Sequence, residues 1–188
     1  MMNAIPTHSI LPELLGTLQH ISFEEATRRA RRIRLVLSDN DGVLTDTGVY
    51  YGPDGESVKR YSIRDGMGME RLGIIGIESG IITGERSPSL KRRAEKLKLK
   101  HLYLEARDKI AVVERIRREH HIGLDEIAYI GDDVNDLGIM DILAESGLTA
   151  APADAMPQIA AIAHYNCAWR GGNGAFRDFA EAIITLRT

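Results

Sequence analysis

Short apolar runs alternate with stretches of helical periodicity along most of this chain. Residues 33–37 are apolar except at Arg34, and 77–83, 99–104, 127–131 and 147–150 repeat the pattern. Apolar runs of this length, bounded by turn residues, read as buried strands. Between them, 67–74, 88–98, 108–120, 134–145, 155–162 and 174–186 carry polar and apolar positions at helical spacing, and a short strand is expected near 164–166. Ser22 followed by Glu25 marks the start of a helix over 23–32, and Ser87 followed by Pro88 marks another. A short helix is also expected over 12–19, behind a lead-in broken by Pro6 and Pro12. Strands that alternate with helices predict an α/β fold, a parallel sheet with helices on both faces. One insertion interrupts the alternation. Two β-prone runs flank Pro53-Asp54-Gly55 within 48–63, which signals a hairpin set over the strand ends as a lid or rim. Arg64-Asp65-Gly66-Met67-Gly68 then leads into a helix. Whether Arg64 pairs with Asp65 or binds a substrate anion is open at this level.

Composition narrows the picture. The chain has 188 residues, 44% hydrophobic and 27% charged, proportions of a globular protein with a sizeable core. A net charge of −3 argues against general affinity for nucleic acid or anionic membrane. Arg28, Arg29, Arg31 and Arg32 have no aromatic residues among them and read as a solvated helix end. The single cysteine, Cys167, allows no internal disulfide and fits a reducing compartment. No apolar stretch reaches membrane-spanning length and no signal peptide is recognised, so a cytoplasmic location is expected. The histidines lack metal-ligand spacing, and Met67, Met69 and Met140 read as core filler.

Chemistry gathers at the predicted strand ends, where ligands bind in open α/β sheets. The first strand runs into Asp39-Asn40-Asp41-Gly42. Paired carboxylates allow one to attack an electrophile while the other donates a proton to the leaving group. Taken alone, the same residues are equally an acidic turn. The second strand ends in Thr83-Gly84, a hydroxyl and backbone N–H groups that suit phosphate, or a plain turn capped by Ser87. Lys109 lies in a first helical turn, against the dipole. The fourth strand runs into Asp132-Asp133-Val134-Asn135-Asp136. One acid would satisfy a helix start; three acids and an amide exceed it and favour a hard cation such as Mg²⁺. Each feature is weak alone, whereas the ordered set at successive strand ends is specific.

With these motifs in this order, residues 27–183 resemble the haloacid dehalogenase (HAD) superfamily of phosphatases. Asp39-Asn40-Asp41-Gly42-Val43-Leu44-Thr45-Asp46 is similar to the family's first motif, Thr83-Gly84 to its second, Lys109 to its third and Gly131-Asp132-Asp133-Val134-Asn135-Asp136 to its fourth. The hairpin, Arg64-Asp65-Gly66 and Gly171-Gly172-Asn173-Gly174-Ala175-Phe176-Arg177 resemble the small capless 3-deoxy-D-manno-octulosonate (KDO) 8-phosphate phosphatases and the related nonulosonate 9-phosphate phosphatases. Asn40 stands where that subgroup usually has an apolar residue.

The resemblance implies a three-layer Rossmann-like HAD fold without a cap domain over 33–188, preceded by an N-terminal helical extension over 1–32. It implies a phosphoric monoester hydrolase acting on a sugar-acid phosphate, KDO 8-phosphate foremost. Asp39 would attack phosphorus to give an aspartyl-phosphate, and Asp41 would protonate the sugar oxygen and then activate water. Mg²⁺ would be held by Asp39, the Asp41 backbone carbonyl and Asp132, with Asp133 and Asp136 in support. Thr83 and Lys109 would hold the phosphoryl oxygens. Arg64, Gly84, Glu85, Arg86, Lys96, Arg170 and Arg177 are the candidates for binding substrate. Glu85 with Lys96 resembles the pair of the 2-keto-3-deoxynononate (KDN) 9-phosphate phosphatases, where Glu85 would accept from the extra hydroxyl, unless the two simply pair on the surface. Arg64 sits in the octulosonate-type sequence. The subgroup further implies a homotetramer whose neighbouring subunits shield each open site, with Arg170 and Arg177 near a substrate carboxylate. One rival is a non-catalytic assembly module like that attached to some sialic-acid cytidylyltransferases, which a degenerate Asp39, Asp41 or Lys109 would favour; all three are present. A phosphomutase would need a larger cap.

Overall fold

In a computed structural model, which describes residues 14–188, the chain opens with β1 (Thr17–Leu18) and α1 (Phe23–Ala30). Next come β2 (Leu35–Ser38), the hairpin β3 (Val49–Gly52) and β4 (Gly55–Lys59), α2 (Ile63–Ile74), β5 (Glu78–Ile82) and α3 (Pro88–Leu97). The remainder is β6 (His101–Tyr103), α4 (Lys109–His120), β7 (Ile127–Ile130), α5 (Leu137–Leu143), β8 (Leu148–Ala151), α6 (Pro157–Ala160), β9 (Tyr165–Asn166) and α7 (Ala175–Arg187). The main sheet runs β1-β9-β8-β7-β2-β5-β6 and is parallel except for β1 against β9. The hairpin forms its own two-stranded sheet, and no cap domain interrupts the fold among the described residues.

Side-chain alternation along the strands sorts the core into two layers. Val36, Ile81, Ala128, Ile130, Leu148 and Ala150 face α1, α2, α3 and α7. Leu35, Leu37, Ile82, Ile127, Tyr129 and Ala151 face α4, α5 and α6. This is the expected three-layer α/β arrangement. Among the described residues, no helix is long and apolar enough to cross a membrane.

Several local expectations are corrected. Thr17–Leu18 is a strand, not part of a helix over 12–19, because it pairs with Tyr165–Asn166 at the sheet edge; Pro6, Pro12 and the start of that range lie outside the described residues. Helix α2 begins at Ile63 rather than 67, capped by Ser62 Oγ, which accepts from Arg64 N at 3.1 Å. Gly66 and Gly68 are therefore helical. A Cβ on Gly68 would lie 3.0 Å from Arg177 Cα and 3.2 Å from Phe176 Cδ1, so the low helix propensity of glycine is offset by the close approach of α7. Met67 is 44% exposed and not core filler, unlike Met69 and Met140. Arg29 is not solvated: it is buried and donates to Ala144 O and Gly147 O, each at 2.9 Å, and to Glu25 Oε1 at 2.6 Å. A 3₁₀ turn, Val134–Asp136, replaces the first turn of the helix expected over 134–145.

The turn before α7 packs directly on the loop after β2. Gly172 N donates to Val43 O at 2.8 Å, and a Cβ on Gly171 would stand 1.9 Å from Gly42 O. Gly171→Ala should therefore destabilise the protein by about 1–3 kcal/mol through overpacking. Urea denaturation measures this, and an unchanged midpoint would show that the turn yields without cost.

Candidate active site

Register brings the chemistry to one edge. Ser38 pairs with Ile81 of β5 and with Ile130 of β7, so β2 and β7 end level and β5 runs one residue further. Asp39, Thr83 and Asp132 follow those ends. Asp39 N donates to Ile130 O at 3.0 Å and Thr83 N to Tyr103 O at 3.0 Å, which extends the strand ladder into the site. A cavity of about 330 Å³ lies above, lined among others by Asp39, Asp41, Thr83, Gly84, Glu85 and Asp132.

Lys109 is buried beneath it. Asp108 caps α4 by accepting from Ala111 N at 3.0 Å, which places Lys109 first in the helix. Its Nζ lies 2.9 Å from Asp39 Oδ2, 2.6 Å from Asp136 Oδ1 and 3.2 Å from the Tyr129 hydroxyl. Burial works against the ammonium, but the charges of Asp39 and Asp136 outweigh it and hold the Lys109 pKa above the ordinary value. The Asp39 carboxyl is raised as well: burial, then the charge of Asp136, lift its pKa despite Lys109. Burial, then the charges of Asp39, Asp136 and Asp133, raise Asp132 to about 8.

Carboxylate oxygens of Asp39, Asp132 and Asp136 lie within 4.8 Å of one another. Asp136 is saturated. Its Oδ1 accepts from Lys109 and from Tyr129 Oη at 2.5 Å, and its Oδ2 accepts from Asp132 N at 3.0 Å and Asp133 N at 3.5 Å. Asp132 Oδ1, by contrast, is buried with no hydrogen-bond partner among the described residues. An orphaned buried oxygen beside a second carboxylate fits a hard divalent cation, which would relieve the mutual repulsion. Asp133 lies outside this trio; it is exposed and caps the 3₁₀ turn, accepting from Val134 N at 2.6 Å.

Asp41 turns toward the hairpin. Its Oδ1 and Oδ2 accept from Lys59 Nζ at 2.7 and 2.9 Å, and Oδ1 also accepts from Thr45 Oγ1 at 3.3 Å. Thr83 Oγ1 accepts from Glu85 N at 3.2 Å. A Cβ on Gly84 would meet nothing within 4 Å, so the cavity is open there. Glu85 and Arg86 are exposed. Glu85 does not pair with Lys96 among the described residues; Lys96 is exposed on α3, whose ion pair joins Arg92 and Glu95. The remaining substrate candidates do not line the cavity. Arg64 leaves Asp65 and stacks on Trp169, 5.0 Å from the ring centre. Asp65 is buried and instead accepts from Gly174 N at 3.2 Å and Arg177 N at 3.0 Å. Arg177 pairs with Glu181 at 2.6 Å, and Arg170 is exposed beside the glycine turn.

Sequence reasoning passed over Lys59, Tyr129 and Trp169. Tyr129 carried a signal: a phenol in an aliphatic strand, two residues before an acidic turn, needs a buried partner for its hydroxyl. Lys59 carried a weaker one, as the last residue of a hairpin strand returning to the strand ends. Nothing in the local pattern marked Trp169.

No protein-family model matches the chain. It is 37% identical over 161 residues to the 3-deoxy-D-manno-octulosonate 8-phosphate phosphatase of Yersinia pestis, covering 86% of this chain and 84% of that protein. The crystal structure of the Moraxella catarrhalis 3-deoxy-D-manno-octulosonate 8-phosphate phosphatase, in complex with magnesium ion, phosphate ion and KDO, matches with a TM-score of 0.82. Identity is 32%, over 88% of this chain and 94% of that one. The cobalt-bound phosphatase of the same substrate from Haemophilus influenzae matches with a TM-score of 0.80 at 31% identity, over 85% and 91% of the two chains.

The raised Asp39 and Asp132 make metal-free stability depend on pH. A carboxylate whose folded pKa is raised stabilises the fold fully below its unfolded value of about 4, and that stability is lost as pH rises through the folded value. For Asp132 the window runs up to about 8. Mg²⁺ should therefore raise the melting temperature more at pH 8 than at pH 5, and Asp132→Asn should shrink the rise. Equal shifts at both pH values would count against a cation at this cluster.

Proposed function

Because the chain belongs to the KDO 8-phosphate phosphatase family of the HAD superfamily, we propose that it hydrolyses KDO 8-phosphate to KDO and phosphate through an aspartyl-phosphate on Asp39. The observation that carries this is the Asp39 carboxylate, 2.9 Å from the buried Lys109 ammonium at the floor of the cavity. An oxygen of Asp39 forms a bond to phosphorus as the bond from phosphorus to the sugar oxygen breaks, and Asp41 gives its proton to that oxygen. Asp41 then takes a proton from water, which attacks phosphorus and frees Asp39. Lys109 and Thr83 hold the phosphoryl oxygens as charge spreads over them. HAD phosphatases need a divalent metal; here Mg²⁺ would be held by Asp39, the Asp41 backbone carbonyl and Asp132. When bound, it would supply positive charge that lets a carboxylate approach a phosphate dianion.

A second reading, KDN 9-phosphate as substrate, is favoured by Glu85, which lines the cavity as an unpaired exposed carboxylate among the described residues and suits an additional hydroxyl. Phosphate release from the two sugar phosphates, assayed side by side with Mg²⁺, decides between them. We expect preference for KDO 8-phosphate and a loss of about 10⁴-fold or more in Asp39→Asn. Turnover that survives in Asp39→Asn would sink the reaction itself, and preference for KDN 9-phosphate would make Glu85 a specificity residue.

Tyr50, Tyr51 and Val58 of the hairpin and Ile63 of α2 are exposed apolar side chains beside the site, as a surface covered by neighbouring subunits would be. The tetramer expected from the subgroup fits this. Light scattering should give the mass of four chains, and a monomer at working concentration would remove that support.

A further inference from the structure

The hairpin carries a residue that the reaction scheme above leaves without a task. The Lys59 side chain is 2% exposed, so its ammonium has no water to turn to and depends on its protein partners. Those partners are both oxygens of Asp41, at 2.7 and 2.9 Å, and Glu56 Oε2, at 3.3 Å. Glu56 is anchored in turn. Its Oε1 accepts from Ser87 Oγ at 2.7 Å and from Ser89 Oγ at 3.1 Å. Ser87 is the N-cap of α3, the helix that follows Thr83-Gly84. The next residue, Arg60, reaches Asp46 Oδ2 at 3.1 Å, Gly172 O at 3.2 Å and Asn173 Oδ1 at 3.1 Å. Successive residues at the strand end thus fasten the hairpin to opposite sides of the site.

We propose that Lys59 is a positioning residue for the acid–base step: clamped by Glu56 to the start of α3, it fixes the Asp41 carboxyl group at the leaving oxygen. Asp41 is a short side chain lining the cavity, 28% exposed. Besides Lys59 it is held by Thr45 Oγ1 at 3.3 Å and Asn40 Nδ2 at 3.1 Å, both weaker contacts. Without the ammonium, Asp41 and Glu56 face each other as like charges and the carboxyl loses its fixed orientation. Misplacing a catalytic group by about an ångström costs on the order of 10² in rate. The loss falls on the step that needs a proton, not on nucleophilic attack by Asp39, which Lys109 secures separately.

The inference rests on the proposed reaction, and leaving-group chemistry separates the two. Cleaving a sugar phosphate requires Asp41 to protonate an alkoxide, whereas p-nitrophenolate leaves as a stable anion and needs little help. With enzyme in excess and Mg²⁺ present, single-turnover cleavage of KDO 8-phosphate and of p-nitrophenyl phosphate is compared in wild type, Lys59→Met, Lys59→Arg and Glu56→Gln. Lys59→Met should slow KDO 8-phosphate cleavage about 10²-fold while p-nitrophenolate release changes less than about threefold. Lys59→Arg should recover part of the loss, and Glu56→Gln should show the same selectivity on a smaller scale. Equal slowing of both substrates, or no slowing of either, overturns the proposal. If Lys59→Met does not fold, Glu56→Gln decides by the same comparison. A wild type that cleaves p-nitrophenyl phosphate but not KDO 8-phosphate refutes the substrate assignment alone, and the Lys59 comparison then runs on KDN 9-phosphate, which also leaves as an alkoxide.

Discussion

One buried ammonium among three carboxylates sets the terms for the rest of the site. Lys109 contacts Asp39 and Asp136, and Asp132 closes the group. Fully ionised, the three carboxylates against one ammonium leave an excess of two negative charges, the charge a divalent cation would balance. Each neighbouring feature serves this balance. Level strand ends bring Asp39 and Asp132 to one edge. Tyr129 and the turn amides saturate Asp136, so that it holds Lys109 and the turn together. Burial makes these charges strong and also costly when unpaired, which is why Asp39 and Asp132 keep protons more readily than ordinary aspartates.

Over this rigid floor stands a light superstructure. In place of a cap domain, the described residues offer two short strands and a glycine-rich turn. An open site admits water and weakens electrostatics. The hairpin answers on two sides: through Lys59, Glu56 and Ser87 it ties the first loop to the helix after β5, and through Arg60 it holds the glycine-rich turn. The exposed tyrosines on its outer side leave room for further cover.

The sequence was most legible where several weak signals recur in a fixed order. The acidic turns, Thr83-Gly84, Ser87-Pro88 and Lys109 were found at strand ends because few other roles call for those residues in that order. The central strands were legible from apolar runs. Failures came where tertiary packing overrode local pattern. Helix α2 was expected only from residue 67, yet Gly66 and Gly68 both lie inside it, where the missing side chains let Arg93 and Leu97 of α3 and Phe176 and Arg177 of α7 approach. Arg29 looked solvated, but its guanidinium closes carbonyls of a distant segment. Two residues at Thr17–Leu18 form a strand only because β9 offers an edge. Lys59 stayed hidden because its partner lies eighteen positions earlier, across a hairpin.

The seating of the Gly171–Gly172 turn on the loop after β2 has a temporal side. Asp39 and its loop leave the ribosome more than a hundred residues before that turn does. Asp65, buried in α2, likewise waits for the amides of Gly174 and Arg177. A nascent chain that has already made every motif of the reaction still lacks the support under its first loop. Competence thus waits for α7 to dock, and partly synthesised chains hold the chemistry without the geometry.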